Sequence, residues 1–135
     1  MATGRCVKLV PILALLATFN AIGAEWIPLS TNPDGDIFFI DKASIRKNAE
    51  LMQVWTMANL GVPKSNGARS QKTAFLLNCQ TWEWAVRAGV SYSEINGQGQ
   101  IVNSISARPH EINYQPSIPD SVTDKVLSFV CSSSR

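Results

Sequence analysis

The 135-residue sequence contains one histidine, His110, and three cysteines. His110 lies in the proline-bounded segment "ARPHEINYQP" with no orienting group beside it, and a Ser/His/Asp triad is defined by geometry rather than by inventory. One histidine also leaves no set of zinc ligands, and the carboxylates do not follow the spacing of a calcium loop. The glycines of "NGQGQ" lack the spacing of a phosphate-binding loop. The sequence therefore predicts no catalytic residue, no metal site and no cofactor.

The carboxylates of Asp34 and Asp36 are close enough in sequence to suggest acid/base chemistry. They flank Gly35 in "TNPDGD", where Asn32, Pro33, Asp34 and Gly35 suit successive positions of a type I turn. Turn chemistry is the stronger interpretation of this pair.

The longest apolar run is too short for the ~20 residues of a membrane-spanning helix. Arg5 and Lys8 precede this run, and small residues follow it up to Ala24. This arrangement is typical of a secretory signal peptide. We predict that residues 1–24 are a cleaved signal peptide, rather than an uncleaved anchor, and that residues 25–135 form one domain.

The predicted mature chain also lacks an excess of either positive or negative charge. Two of the 12 basic residues leave and all 10 acidic residues stay, so the formal net charge falls from +2 to zero. Without clustered Lys and Arg, neither nucleic acid nor an anionic membrane surface is a predicted partner. The loop "KSNGARSQK" carries Lys64, Arg69 and Lys72 with no acid among them. These three are candidate contacts for an acidic partner, the alternative being a solvated hairpin tip.

Cys6 precedes the apolar run and is removed with the predicted signal peptide. The predicted mature chain therefore keeps two cysteines, Cys79 and Cys131. Two cysteines in an exported chain most simply form one disulfide, although two free buried thiols are the alternative. Lipid attachment needs a cysteine directly after the apolar run. None is present there, so the protein is predicted in the periplasm or at the cell surface without a lipid anchor.

The mature sequence predicts an α+β fold, an antiparallel sheet of about five to six strands with one C-terminal α-helix packed on one face. "KASIRKNAE" is predicted as a short helical or irregular segment, "GVPKSNGARSQ" as an exposed mobile loop, and Arg108–Pro119 as irregular. The predicted strands are "EWIPLS", "DIFFID", "LMQVWTMANL", two strands within "KTAFLLNCQTWEWAVRAGVSYSE" that meet near Gln80 and Thr81, and "IVNSISA".

"SIPDSVTDKVLSFVC" predicts the helix, because its apolar residues recur at helical spacing. Ser117 with Asp120, or Ser121 with Asp124, has the spacing of a capping box. The apolar stripe consists of Val122, Val126, Phe129 and Val130, widened by Leu127 and Cys131.

Alternation in the two central strands predicts which side chains face the core. One set is Phe75, Leu77 and Cys79, and the other is Trp82, Trp84, Val86 and Ala88. Tryptophans at alternating strand positions favour packing, and exposure of at least one of Trp26, Trp55, Trp82 and Trp84 as a contact residue is the alternative.

These segments together resemble the bacterial surface-adhesin protein E family. The resemblance rests on the Trp26 opening, "DGDIFFIDKASIRKN", "VWTM", the strand ending in "NC", "GQGQIV" and "PSIPDSVTDKVLSFVC", in that order along the mature chain. It implies a small exported domain without enzymatic activity, a Cys79–Cys131 disulfide that tethers the helix to the sheet, and a homodimer. It also implies host matrix or serum proteins, or an envelope protein, as partners.

The function predicted on these grounds is that of a non-catalytic, exported, adhesin-like protein-binding module of the bacterial cell envelope. The alternative is a soluble periplasmic structural or housekeeping protein without a host ligand, which the missing lipid cysteine and the neutral charge favour.

Overall fold

A computed structural model describes residues 23–133, together with Gly4 and Pro11. The predicted signal peptide, with Arg5, Cys6 and Lys8, therefore lies almost entirely outside the described residues. Within the described part of the chain, no helix combines the length and the apolar character needed to span a membrane.

The described chain forms eight β-strands and one α-helix, α1, at Val122–Ser133. Three single turns of 3-10 helix, at Lys42–Ser44, Ile95–Gly97 and Pro109–Glu111, lie between strands. The strands are β1 (Trp26–Thr31), β2 (Ile37–Asp41), β3 (Arg46–Asn48), β4 (Leu51–Asn59), β5 (Ser70–Asn78), β6 (Glu83–Tyr92), β7 (Ile101–Ser106) and β8 (Gln115–Pro116).

All strands belong to one antiparallel sheet with the order β1-β2-β4-β5-β6-β7. The two short strands lie off this path, β3 against β4 and β8 against β6. The predicted count of about five to six strands is therefore slightly low. It is low because β3 and β8 consist only of exposed residues and carry no apolar alternation from which a strand could be predicted.

The turn between β1 and β2 forms as the sequence predicts. The Gly35 amide donates to the Asn32 carbonyl at 3.1 Å, and Gly35 has a φ of +85°, which glycine adopts without steric cost. Asp36 is occupied in holding this turn, because its Oδ2 accepts from Asn32 Nδ2 and its Oδ1 accepts from the Gly61 amide. These bonds support the interpretation of Asp34 and Asp36 as turn residues.

The helix α1 packs on one face of the sheet, which we call the helix face. Val54 pairs with Phe75 and Met52 with Leu77 across β4 and β5, so these four side chains share that face. The predicted apolar stripe of the helix is confirmed, because its residues form a core together with residues of the sheet. The buried residues of this core are Ile40, Val54, Leu77, Val126, Leu127, Val130 and Cys131.

The turn between β5 and β6 is bonded to both ends of α1. Cys79 and Cys131 form the predicted disulfide, with their Cα atoms 5.6 Å apart, which joins the turn to the last part of the helix. At the other end, Trp82 Nε1 donates to Asp124 Oδ1 at 2.7 Å. Trp82 has a φ of +59°, a left-handed conformation that ends the turn. One short segment thus fixes the position of the whole helix on the sheet.

The predicted cap of α1 forms from the second of the two candidate pairs. Ser121 Oγ accepts from the Asp124 amide at 3.2 Å, as an N-cap residue does. The Asp124 carboxylate accepts from the Asp120 amide at 3.0 Å rather than from that of Ser121. Hydrogen bonds from the Trp82 indole and then from the Asp120 amide hold the pKa of Asp124 below its ordinary value.

We expect Trp82→Phe to raise the pKa of Asp124 toward that of an ordinary aspartate, because the indole donor is lost. A carboxyl group whose pKa is lowered on folding stabilises the native state above its unfolded pKa. That contribution is lost as the pH falls through the folded pKa. Because the variant keeps less of this contribution, acid should remove less stability from it than from the wild type. Titration of the Asp124 carboxyl carbon by NMR measures the shift, and Trp84→Phe, which leaves the Trp82 indole in place, should not change it.

Two local predictions are wrong. Ala88 does not share a face with Trp84 and Val86, because a β-bulge between Phe75 and Ala74 shifts the register, so that Ala88 lies opposite Ala74. The segment "GVPKSNGARSQ" is not wholly an exposed loop, since β5 already begins at Ser70 and both Ala68 and Ser70 are fully buried.

Candidate functional site

The face of the sheet opposite α1, which we call the cleft face, carries a cluster of aromatic side chains. Trp55 and Lys72 lie on this face because each alternates with residues of the helix face along its strand. Trp26 from β1 and Tyr92 from β6 converge on them. A cleft of about 290 Å³ results, lined by Ala24, Trp26, Asp41, Trp55, Lys72, Val90 and Tyr92.

The Lys72 side chain lies at the centre of this cleft. Its Nζ is 5.6 Å from the centroid of the Trp26 ring and 5.4 Å from that of the Tyr92 ring, both within cation–π range. Among residues 23–133, no carboxylate lies within 4.0 Å of this ammonium group. Lys72 is half-buried, so the cleft holds a partly desolvated cation whose contacts are with aromatic rings.

The loop that follows β6 lies against the Lys72 side chain and is firmly bonded. Gly97 has a φ of +66°, which favours glycine, and a Cβ atom there would lie 2.6 Å from Lys72 Cε, so the loop backbone lies close against the lysine side chain. Ser70 Oγ donates to the Glu94 carbonyl and accepts from the Gly97 amide at 2.9 Å. Asn59 and Asn96 add two hydrogen bonds of 2.7 Å each. These bonds hold the loop against β4 and β5, next to Lys72.

Asp41 supplies the acidic group at the β1–β2 side of the cleft. The residue is only 8% exposed, and its Oδ1 accepts from the backbone amides of Glu25 at 2.8 Å and Ala43 at 3.1 Å. Within the described chain, no hydrogen bond involves its second carboxylate oxygen, Oδ2. The cleft therefore combines aromatic surfaces, one cation and one carboxylate oxygen that can accept.

The structure separates the three basic residues that the sequence groups together. Lys72 lies in the cleft, whereas Lys64 Nζ donates to Gln71 Oε1, at 3.1 Å, on the opposite face of β5. Arg69 is exposed just before β5. Lys64 also borders a wider groove of about 500 Å³ together with Asp34, Asp36, Leu60 and Val62, so acidic groups share its surroundings.

Two of the four tryptophans pack in the core and two line the cleft, so each of the two interpretations of the sequence holds for one pair. Trp82 and Trp84 pack against the core, and Trp84 meets Phe75 edge to face at 5.8 Å. Trp26 and Trp55 are half-buried and line the cleft. Two lining residues, Tyr92 and Asp41, are not among the site residues predicted from the sequence. For Tyr92 a signal existed, because it follows Val90 at the alternating spacing of β6, whereas nothing in sequence brings Asp41 near β5 and β6.

The surroundings of His110 do not resemble those of a catalytic histidine. Its side chain is 73% exposed and its Nε2 is 3.7 Å from Glu111 Oε1, in the short 3-10 turn after β7. Among the described residues, no three His, Cys, Asp or Glu side chains come together as metal ligands.

The fold and this surface define a small α+β domain with a disulfide-bonded C-terminal helix and an aromatic cleft on the other side of the sheet. Solved structures with a similar fold are those of Haemophilus influenzae protein E. One has a TM-score of 0.61 at 20% sequence identity, covering 80% of this chain and 84% of that one. A second, in crystal form II, gives 0.60 at 20% identity, with 80% and 87% covered. A third, from a non-typeable strain, gives 0.57 at 21% identity, with 87% and 82% covered.

Residues 26–132 match the sequence profile of the surface-adhesin protein E family, and the chain belongs to that family. A sequence comparison with curated proteins found no match. The family resemblance, the antiparallel sheet with its C-terminal helix and the disulfide are thereby confirmed.

Proposed function

We propose that the protein is an exported, adhesin-like module of the bacterial cell envelope, which binds another protein through non-covalent contacts and catalyses no reaction. The observation that carries this proposal is family membership across residues 26–132. The Cys79–Cys131 disulfide supports it, because such bonds persist in oxidising compartments outside the cytoplasm. Host matrix or serum proteins are the proposed partners, and the cell surface is the proposed location.

Lys64, Arg69 and Lys72 remain the proposed contact residues, and their positions suggest unequal roles. Lys64 and Arg69 are exposed and can meet a broad protein surface, whereas Lys72 is half-buried in the cleft. Exposed charges at the rim of an interface mainly affect association rate and salt dependence. Pairing of two copies is also proposed, because the outer edges of β1 and β7 have no neighbouring strand in the described chain.

We expect purified protein to bind immobilised matrix or serum proteins, and Lys64→Ala with Arg69→Ala to weaken that binding by about fivefold at low salt. This magnitude follows from two exposed ion pairs, each worth roughly 0.2–1 kcal/mol. Arg46→Ala with Lys47→Ala is a matched control, since it removes one exposed Arg and one exposed Lys from β3. Surface plasmon resonance at two salt concentrations measures the effect.

Equal binding by the Lys64/Arg69 variant and the wild type would remove the basic loop from the proposal. Failure of the wild type to bind any matrix or serum protein would contradict the adhesin-like function itself.

Protease added to intact cells should cleave the protein if it lies at the surface. Sedimentation of the same preparation at micromolar concentration should show a dimer, and a strict monomer would exclude the pairing.

A further inference from the structure

We propose that the aromatic cleft binds a sugar residue that carries a carboxylate, with the carboxylate on Lys72 and the sugar ring against the indoles of Trp26 and Trp55. This ligand class is separate from the protein partner proposed above. The two proposals share Lys72, but the sugar proposal rests on the cleft and not on family membership.

The charge of the cleft indicates an anionic ligand. The Lys72 ammonium group is half-buried among aromatic rings and has no carboxylate within 4.0 Å in the described chain. Burial removes part of its hydration, and a charge-assisted hydrogen bond to a carboxylate would replace what is lost. The two cation–π contacts fix the ammonium position but supply no hydrogen-bond acceptor for its three N–H groups. A ligand carboxylate is the acceptor that fits.

The Asp41 carboxylate, the second charged group of the cleft, indicates that the ligand also carries hydrogen-bond donors. Asp41 Oδ1 is engaged by the Glu25 and Ala43 amides, and Oδ2 has no hydrogen bond within the described residues. A simple carboxylate ion would only be repelled by Asp41. Sugar hydroxyls can donate to Oδ2 while a carboxylate on the same ring accepts from Lys72, so an acidic sugar matches both groups.

The aromatic walls suit the remaining surface of a sugar ring. Indole and phenol rings offer wide apolar faces with a polar edge, against which the C–H groups of a pyranose can pack. The volume of about 290 Å³ lies just below the range of about 300–1,000 Å³ for ligand pockets, as suits a small ligand. One or two sugar rings fit that space better than a long peptide segment does.

The Lys72 side chain is also supported by a bonded loop before any ligand arrives. Gly97 packs directly on the Lys72 side chain, and Ser70 and Asn59 bond the loop that contains it. A side chain fixed in this way loses little conformational freedom when it binds. Modest affinity is therefore expected even for a single disaccharide.

The test measures binding of four probes by tryptophan fluorescence and by saturation-transfer NMR. Two are acidic disaccharides, glucuronic acid with N-acetylglucosamine, as in matrix polysaccharides, and N-acetylmuramic acid with N-acetylglucosamine, as in cell walls. The third is the methyl ester of the glucuronic acid probe, which has the same ring without the charge. The fourth is a tetraglutamate peptide, which has carboxylates without a sugar ring.

We expect at least one acidic disaccharide to bind about tenfold more tightly than the ester, because a charge-assisted hydrogen bond contributes roughly 1.5–3 kcal/mol. Lys72→Met, which keeps the apolar stem, should lose that tenfold advantage, and Lys72→Arg should retain most of it. Lys47→Met, at an exposed lysine of β3 that does not line the cleft, is the control and should bind as the wild type does. Whichever disaccharide binds identifies whether the sugar comes from matrix or from cell wall.

Three results would overturn the proposal. The first is equal binding of the ester and the acid, and the second is unchanged binding by Lys72→Met. The third is binding of tetraglutamate with neither disaccharide bound, which would assign the cleft to acidic peptides. Circular dichroism of each variant confirms that loss of binding is not loss of fold.

Discussion

Replacement of both Cys79 and Cys131 by alanine is expected to lower the free energy of unfolding by about 4 kcal/mol. The bond closes a loop between residues 52 positions apart, and loss of chain entropy in the unfolded state accounts for this magnitude. A typical domain is stable by only 5–15 kcal/mol, so the change is a large share of the total. For a domain of about this size, the melting temperature should fall by roughly 15 °C.

The loss should fall mainly on the docking of α1. The hydrogen bond from Trp82 to Asp124 still holds the first turn of the helix, but nothing covalent then holds its last turns. Thermal melts followed in the far ultraviolet should show the sheet signal surviving with reduced cooperativity. Reductant should lower the melting temperature of the wild type and leave the alanine variant unchanged. An equal response of the two proteins to reductant would mean that the bond contributes no stability.

Leu127→Ala is expected to destabilise the protein by about 3 kcal/mol. Leu127 is fully buried in the core between helix and sheet, and Leu→Ala substitutions at such sites cost roughly 2–5 kcal/mol through lost burial and the cavity left behind. Urea unfolding measures the change as a lower midpoint at constant slope. Val62→Ala, at a side chain that is 71% exposed, is the matched control and should change stability little. A small effect at Leu127 would show that the helix is not packed as described.

The sequence predicts those parts of the fold that rest on local patterns. Alternating apolar residues identify the six main strands, and helical spacing from Val122 to Cys131 identifies α1 together with its buried side. The disulfide follows because the family resemblance and the helix stripe both place Cys131 against the sheet. For the strands and the helix, the residues that carry the signal are close together in sequence.

The candidate site could not be predicted in the same way, because its residues come from five strands. Lys72 appears in sequence beside Lys64 and Arg69, but strand alternation places it on the face opposite Lys64. Asp41 reaches the cleft only through the pairing of β1 with β2, in which Trp26 lies opposite it. The bulge that turns Ala88 to the other face is equally invisible in a pattern of period two.

The first and last elements of the described fold lie against each other, since α1 packs on β1 and Lys125 Nζ donates to Ser30 Oγ at 3.0 Å across 95 positions. The ribosome releases the N-terminal part of a chain first, at roughly 5–20 residues per second. The strands can therefore begin to pair while the segment that covers their apolar face is still unmade. Closure of the core must wait until α1 has been made, which leaves the apolar face of the nascent sheet dependent on protection from aggregation until then.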